Sequence, residues 1–389
     1  MKYFNICIVL TSILLIYISI LKPYSIFSNS YQIDLEFQDA EIKPFDHALY
    51  NDESYHLEKG KFVSLGEIEG PETMEFSKSG DRLYFALKNG EIRYLETPLN
   101  IITKEQLLSK QEKFMSKTKY LCTAGRPLGV TVDNEDNVII ADALKGLLKY
   151  DIKTKDLLIL TSSANGKKLT FVNDVVVAKN DMIYFSNSNP IAPFLDKNGD
   201  YNTHVPSFYA IMGMIRGGQL LSYNPKTKET KVLMDGIAYA NGVTLDPKQE
   251  SVFVAECAGS KLYRYWISGE KAGKSEVFID NLPGFPDGIN QSNGRLYISI
   301  FSNRTPFGDL VTPFKFIKKL LIRLPFFSLP IAKPSMVVVD PNNGKVVDYY
   351  QAAPNSVQQS VTSSIEKDGQ IYLGNLLSNY FVIIEDKKK

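Results

Sequence analysis

The chain has 389 residues, 44 % of them apolar, and its 44 basic and 43 acidic side chains leave a formal charge of +1. That is an ordinary globular composition with ample material for a core, and the neutral balance gives no electrostatic basis for binding nucleic acid or a strongly charged partner. Tyr and Phe, 22 of each beside one Trp, suit β structure.

Tyr3 to Leu21 is an almost uninterrupted apolar run, long enough to cross a bilayer as a helix. Lys2 precedes it, Lys22 follows it, and no small-x-small cleavage site comes after. Residues 1–28 are therefore expected to form an uncleaved signal anchor, a single transmembrane segment that holds the body at the membrane, outside the cytoplasm. Residues 29–60 mix proline, acidic and aromatic residues with little periodicity and read as a tether. A first strand, Lys61 to Gly66, follows.

The body, 61–389, repeats one opening six times: PETMEFSKSGDRLYFAL, RPLGVTVDNEDNVIIAD, FVNDVVVAKNDMIYFSN, YANGVTLDPKQESVFVAE, FPDGINQSNGRLYISI and VTSSIEKDGQIYLGN. Each copy has an alternating apolar run, a polar turn and a β-rich run centred on Tyr84, Ile139, Tyr184, Phe253, Tyr297 or Tyr372. Between successive openings there is room for four short strands, the size of one propeller blade. The expected fold is an all-β, six-bladed β-propeller. The strand Lys61 to Gly66 is expected to close the ring by pairing with the last blade, which removes a loose edge.

Inner strands of a propeller line a central channel, so residues at equivalent strand starts converge on its axis. Aligning the repeats places Glu72, Leu128, Asn173, Asn241, Asp287 and Thr362 at that level. Four of these, Glu72, Asn173, Asn241 and Asp287, carry the side-chain oxygens a hard cation prefers. Each has an ordinary explanation as a turn former or a surface carboxylate, but that does not account for the shared register. Two carboxylates and two amides suit one Ca²⁺ or a similar divalent cation, and the absence of His and Cys from the set argues against zinc.

After Ile300 the rhythm breaks. Phe314 to Leu324 carries Ile317, Leu320, Leu321 and Leu324 at helical spacing, with Lys315, Lys318, Lys319 and Arg323 on the other face, and Pro325 ends the run. This short helical insertion is expected between blades five and six. It either packs across a propeller face with its lysines solvated, or rests as a basic amphipathic element on the membrane.

Other chemistry is poorly supplied. His47 and His56 lie in or near the tether, and His204 falls in a loop of blade three. Cys7, Cys122 and Cys257 have no metal-like spacing, and whether the last two pair is open. No GxSxG elbow, Walker loop or GxGxxG follows a strand. Asn290-Gln-Ser and Asn303-Arg-Thr match the glycosylation triplet, a pattern common by chance.

GPETMEF, FVNDVVV, GGQLLSYNPKTKETKVLMDGIAYANGVTLDP, AECAGSKLYRYWISGEK and VTSSIEKDGQIYLGNL together resemble the strictosidine synthase-like family, over nearly the whole body. The resemblance implies membership of a wider group with gluconolactonases and arylesterase-type paraoxonases, which hold a catalytic divalent cation, usually Ca²⁺, at the channel mouth. Carried over position by position, the ligands fall on Glu72, Asn173, Asn241 and Asp287.

There are also departures. Thr362 stands where strictosidine synthases place a catalytic Glu, so the amine–aldehyde condensation is not expected. Leu128 replaces the paraoxonase histidine of blade two, and Thr73 and Gly288 replace further polar residues. The activity expected is hydrolysis of small esters or lactones. Glu72, Asp287 and Asp174 are the carboxylates available for proton transfer, although strand alternation should turn Asp174 away from the side that Asn173 faces. The rival from another class is a metal-binding ectodomain that binds a ligand or a protein without turnover, which Leu128 and Thr362 favour.

Overall fold

Six antiparallel sheets of four strands stand around one axis in the computed structural model, which describes residues 37–41, 43, 49–66, 70–109, 119–122, 125–197, 199–322 and 333–387. From inner to outer strand, blade one is Met74–Phe76, Arg82–Ala86, Glu91–Glu96 and Lys119–Cys122; blade two is Pro127–Val132, Val138–Asp142, Gly146–Tyr150 and Leu157–Thr161. Blade three is Val172–Val177, Ile183–Asn187, Arg216–Asn224 and Glu229–Ala238; blade four is Ala240–Leu245, Ser251–Glu256, Lys261–Trp266 and Ser275–Ile279. Blade five is Gly284–Ser292, Arg295–Asn303, Ser335–Val339 and Val346–Gln351. Blade six takes Ser364–Lys367, Gln370–Leu373 and Tyr380–Glu385 from the end of the chain. Its outermost strand, Lys61–Ser64, comes from the beginning, with Lys61 opposite Ile383 and Ser64 opposite Tyr380. Each inner strand packs beside the next, and the sixth returns to the first.

Local sequence explains the hairpins. The turn after every inner strand holds at least one residue in the left-handed region: Gly80, Asp136, Asp181, Gln249, Asn293 with Gly294, and Asp368 with Gly369, with φ from +48° to +80°. Polar and glycine residues tolerate that conformation best, which is why the repeats share a polar turn. The apolar clusters lie between blades rather than within them. Tyr84 and Ile92 of blade one meet Val130 and Ile140 of blade two, and Phe253 of blade four meets Ile298 and Val337 of blade five. Both faces of most strands are thus buried, and the strands read as dense apolar runs.

Among the described residues four α-helices interrupt the sheets: α1 (Lys104–Leu108), α2 (His204–Gly213), α3 (Pro306–Val311) and α4 (Lys315–Leu321). Here the structure corrects the expectations. The insertion carrying α3 and α4 lies within blade five, between its second strand and Ser335–Val339, not between blades five and six. Lys318 of α4 is not solvated; it is fully buried and its Nζ donates to Gln38 O at 2.7 Å. His204 is not in a loop but heads α2, itself an insertion between the second and third strands of blade three. Because inner strands run away from the mouth and second strands return to it, both insertions rise from the same face.

The anchor expected over 1–28 lies outside the described residues, and among those residues no helix is long and apolar enough to cross a membrane. The later part of the tether is docked onto the body: Tyr50 is buried between blades four and five and Leu57 between blades five and six. Neither glycosylation triplet sits on an outer loop. Asn290 lines the channel, and the Asn303 side chain bonds Tyr349 Oη and Ser335 Oγ.

Candidate active site at the channel mouth

Backbone irregularities aim the mouth residues. The inner strands of blades two to five each slip register at the aligned position: between Pro127 and Gly129, Val172 and Val175, Ala240 and Val243, and Pro286 and Ile289. An extra residue at such a bulge breaks the two-residue alternation. Asp174 accordingly does not turn away from the axis, as alternation alone would have it. It lines the axial channel with Glu75, Thr131, Thr244 and Asn290, around a cavity of about 40 Å³.

Neighbouring blades are stitched together at this level. Asp174 accepts from Val175 N and, across to blade four, from Val243 N, both at 2.9 Å. Gly288 N donates to Thr362 O at 2.8 Å, and Thr362 Oγ1 donates to Glu72 O at 2.7 Å. Gly242 has no room for a side chain, because a Cβ there would run into the Asp287 carbonyl oxygen and Ile289 N.

The side chains form one electrostatic group. Glu72 is buried and accepts from Arg126 Nη2 at 3.1 Å. Burial pushes the Glu72 carboxyl up, and the guanidinium opposes that shift. Asp287 is raised well above the usual carboxylate range, first by burial, then by the charges of Glu72 and Asp174, while a hydrogen bond from the Asn241 amide opposes. Asp174 is pushed up to about 7 by burial, with Glu72 adding to the shift. Asn173 is buried in the same bulge as Asp174. The structure therefore brings Glu72, Asn241, Asp287 and Asp174 into one group, with Asn173 beside it. Leu128 and Thr362 complete the ring without a charge.

Three participants escaped the sequence reading. Arg126 is 1 % exposed and is the first residue of the blade-two opening, just ahead of its inner strand; its Nη1 also donates to Leu87 O and Pro127 O. Cys257 is a free, buried thiol that takes a hydrogen bond from Asn241, and burial, with Asp287, pushes its pKa up. It was predictable in principle, since Glu256 pairs with Ala240 and the next residue must reach the mouth. Tyr239, two residues before Asn241, holds its hydroxyl 2.5 Å from Ser207 Oγ of α2. His204 contributes nothing comparable; burial alone pushes its imidazole pKa down.

Among the described residues no group of three or more His, Cys, Asp and Glu side chains could hold a metal ion. The donor set that does converge is of another kind, with Asn amides beside carboxylates. One guanidinium pairs with Glu72; Glu72 and Asp174 are buried and Asp287 half-buried, so the three carboxylates when ionised leave a formal excess of two negative charges. Such an excess is costly unless protons or a cation balance it. Carboxylates beside Asn amides are the type of donor a hard divalent cation takes.

Two family models match, strictosidine synthase over residues 173–270 and the strictosidine synthase-like N-terminal model over 53–93. Adipocyte plasma membrane-associated protein of Rattus norvegicus is 31 % identical over 338 residues, 83 % of this chain and 85 % of that protein. Its Salmo salar counterpart is 30 % identical, over 86 % of this chain and 80 % of its own. STRICTOSIDINE SYNTHASE-LIKE 3 of Arabidopsis thaliana is 28 % identical over 85 % of both chains. Among solved structures, a gluconolactonase from Xanthomonas campestris superimposes with a TM-score of 0.56 at 12 % identity, covering 90 % of this chain and 97 % of its own. A calcium-binding regucalcin from Agrobacterium tumefaciens gives 0.53 at 13 %, with the same coverage. At such identities the two structures speak for the fold alone.

Proposed function

The chain belongs to the strictosidine synthase-like family, and from that premise we propose that it is a membrane-anchored hydrolase of small esters or lactones that uses one divalent cation, Ca²⁺ first among candidates. The observation that carries this reading is the group of buried Glu72 and Asn241 with half-buried Asp287, two carboxylates and an amide brought together at the open end of the channel. The structural neighbours, a gluconolactonase and a calcium-binding protein, support it.

Glu72, Asn173, Asn241 and Asp287 would hold the cation, which when bound supplies the charge that polarises a carbonyl and stabilises its oxyanion. The rest falls to the chain. Arg126 engages one oxygen of Glu72 and leaves the other for a ligand. Asn241 orients Asp287 by donating to it. Both oxygens of Asp174 already accept backbone N–H groups, so its role is to position the bulges of blades three and four. That leaves Asp287, half-buried and facing the mouth, to take the proton of the attacking water.

The Asp287→Ala chain tests the assignment. Calorimetry with Ca²⁺ should show at least a 100-fold loss of affinity and ester hydrolysis should fall with it, while circular dichroism stays unchanged. Retained hydrolysis in a folded Asp287→Ala chain would remove the site from consideration. A second reading, a metal-binding ectodomain without turnover, has Leu128 and Thr362 in its favour, which leave two of the six mouth positions without a carboxylate or an amide. It predicts Ca²⁺ binding with no hydrolysis of any substrate.

A further inference from the structure

The insertion of blade five turns one side toward the site and another toward solvent. On the inner side α4 packs against α2, and Ile322, just past α4, joins a cluster with Tyr209, Met214, Tyr239, Cys257 and Phe285. That cluster adjoins Asp287 and Asn241. On the outer side, over the single stretch 307–316, Phe307 is 44 % exposed, Leu310 68 %, Phe314 52 % and Phe316 73 %. Four large apolar side chains so close in sequence are not the scattered single residues of an ordinary surface.

Charge and chain path identify what covers them. Lys319 is exposed beside the apolar residues, as is Lys315, whose Nζ lies 3.8 Å from the exposed Asp39 carboxylate, and the one acid of the stretch itself, Asp309, is paired with Arg304 at 2.9 Å. The described chain begins inside this same insertion. Phe37 is buried, Gln38 N donates to Gly213 O at 2.9 Å, Lys318 Nζ donates to Gln38 O, and Lys315 N donates to Asp39 Oδ1 at 2.8 Å. Phe37 follows the apolar run Tyr3 to Leu21 closely enough that the intervening chain spans at most about 58 Å when fully extended. A bilayer holding that run lies within reach of the exposed apolar residues.

We propose that Phe307, Leu310, Phe314 and Phe316 seat in the interface of an anionic lipid bilayer, with Lys315 and Lys319 at the headgroups, and that the mouth beneath takes lipid-partitioned esters or lactones. The seating stands on its own. The substrate class rests on the hydrolase reading.

Reconstitution of the full chain into vesicles of brominated phosphatidylcholine with phosphatidylserine tests the seating. Phe316→Trp is placed in a Trp266→Phe background, where it supplies the only indole. An interfacial helix sinks its apolar face about 5–10 Å, so the bromines should quench the introduced indole strongly. The native Trp266, at the end of its strand away from the mouth, should go unquenched in the unaltered chain and serves as the control. An indole with water-like emission and no quenching overturns the proposal. So does a blue-shifted but unquenched indole, which would mean that a protein or a second copy covers the patch.

The substrate class is tested separately with Leu310→Asp combined with Phe316→Asp. KM for a long-chain ester presented in vesicles should rise about tenfold while a short soluble ester is unaffected; equal changes for both would overturn the lipid-partitioned class. Quenching with no hydrolysis at all would leave the seating standing and remove the hydrolase reading.

Discussion

With its guanidinium inside the protein, Arg126 is the only cation paired with the mouth carboxylates among the described residues. Arg126→Met should leave Glu72 buried without a partner, a change that costs roughly 3–5 kcal/mol in comparable pairs. If a divalent cation shares the task, denaturation with chelator should show the full loss and denaturation in Ca²⁺ a clearly smaller one. An equal loss in both would deny the cation that role. Deeper in the channel, burial pushes Glu75 from 4.5 to about 7, partly opposed by the backbone N–H of Phe76. Its folded pKa lies above its unfolded value, so the fold favours the protonated form. That contribution is present below about pH 4.5 and lost as pH rises through about 7. Glu75→Gln should therefore stabilise the chain at pH 8.5, by roughly 2 kcal/mol allowing for channel water, and change little at pH 4.5. Thermal melts at the two pH values read the difference. Residue identity at the mouth was legible because the repeat fixes register. Arg126 was not, because its side chain crosses from one blade to the next, and no periodicity within a repeat records such a contact.

At the scale of elements, the bulges in the inner strands do the aiming. Alternation along an ideal strand put Asn173 and Asp174 on opposite sides, whereas the slip between Val172 and Val175 lets Asp174 line the channel. A bulge is one residue of extra backbone, and the apolar pattern that betrays a strand looks the same with or without it. Gly242 depends on the same device. Gly242→Ala would press a methyl group into the backbone at Asp287. Overpacking of that kind costs about 1–3 kcal/mol, and here it should also displace Asp287, lowering Ca²⁺ affinity and hydrolysis together. Unchanged affinity in a folded Gly242→Ala chain would mean that Asp287 does not depend on its neighbour. Helix α4 was readable as part of an insertion but not in its place, and α3 was not read at all. The strand Ser335–Val339 resumes blade five after a long excursion, and a lone strand is easily assigned to the wrong neighbour.

For the molecule as a whole, the propeller was legible because six similar openings recur and each must bury its apolar faces against the next. Closure by Lys61–Ser64 beside Tyr380–Glu385 was legible for the same reason, since an open ring would leave a bare edge. The covering formed by α2, α4 and the segment around Phe37 was not, because it joins residues from distant parts of the chain without a repeat. The architecture sets charged oxygens at one end of a narrow channel and an apolar surface on the elements above it, which suits a carbonyl substrate delivered from lipid. The most direct measurement is turnover of a panel of aryl esters and lactones by the full chain in detergent micelles, first as purified, then after chelation, then with Ca²⁺ restored. Hydrolysis that disappears with the chelator and returns with Ca²⁺ is the predicted result. No turnover on any substrate by chain shown to be folded and loaded with Ca²⁺ would contradict it.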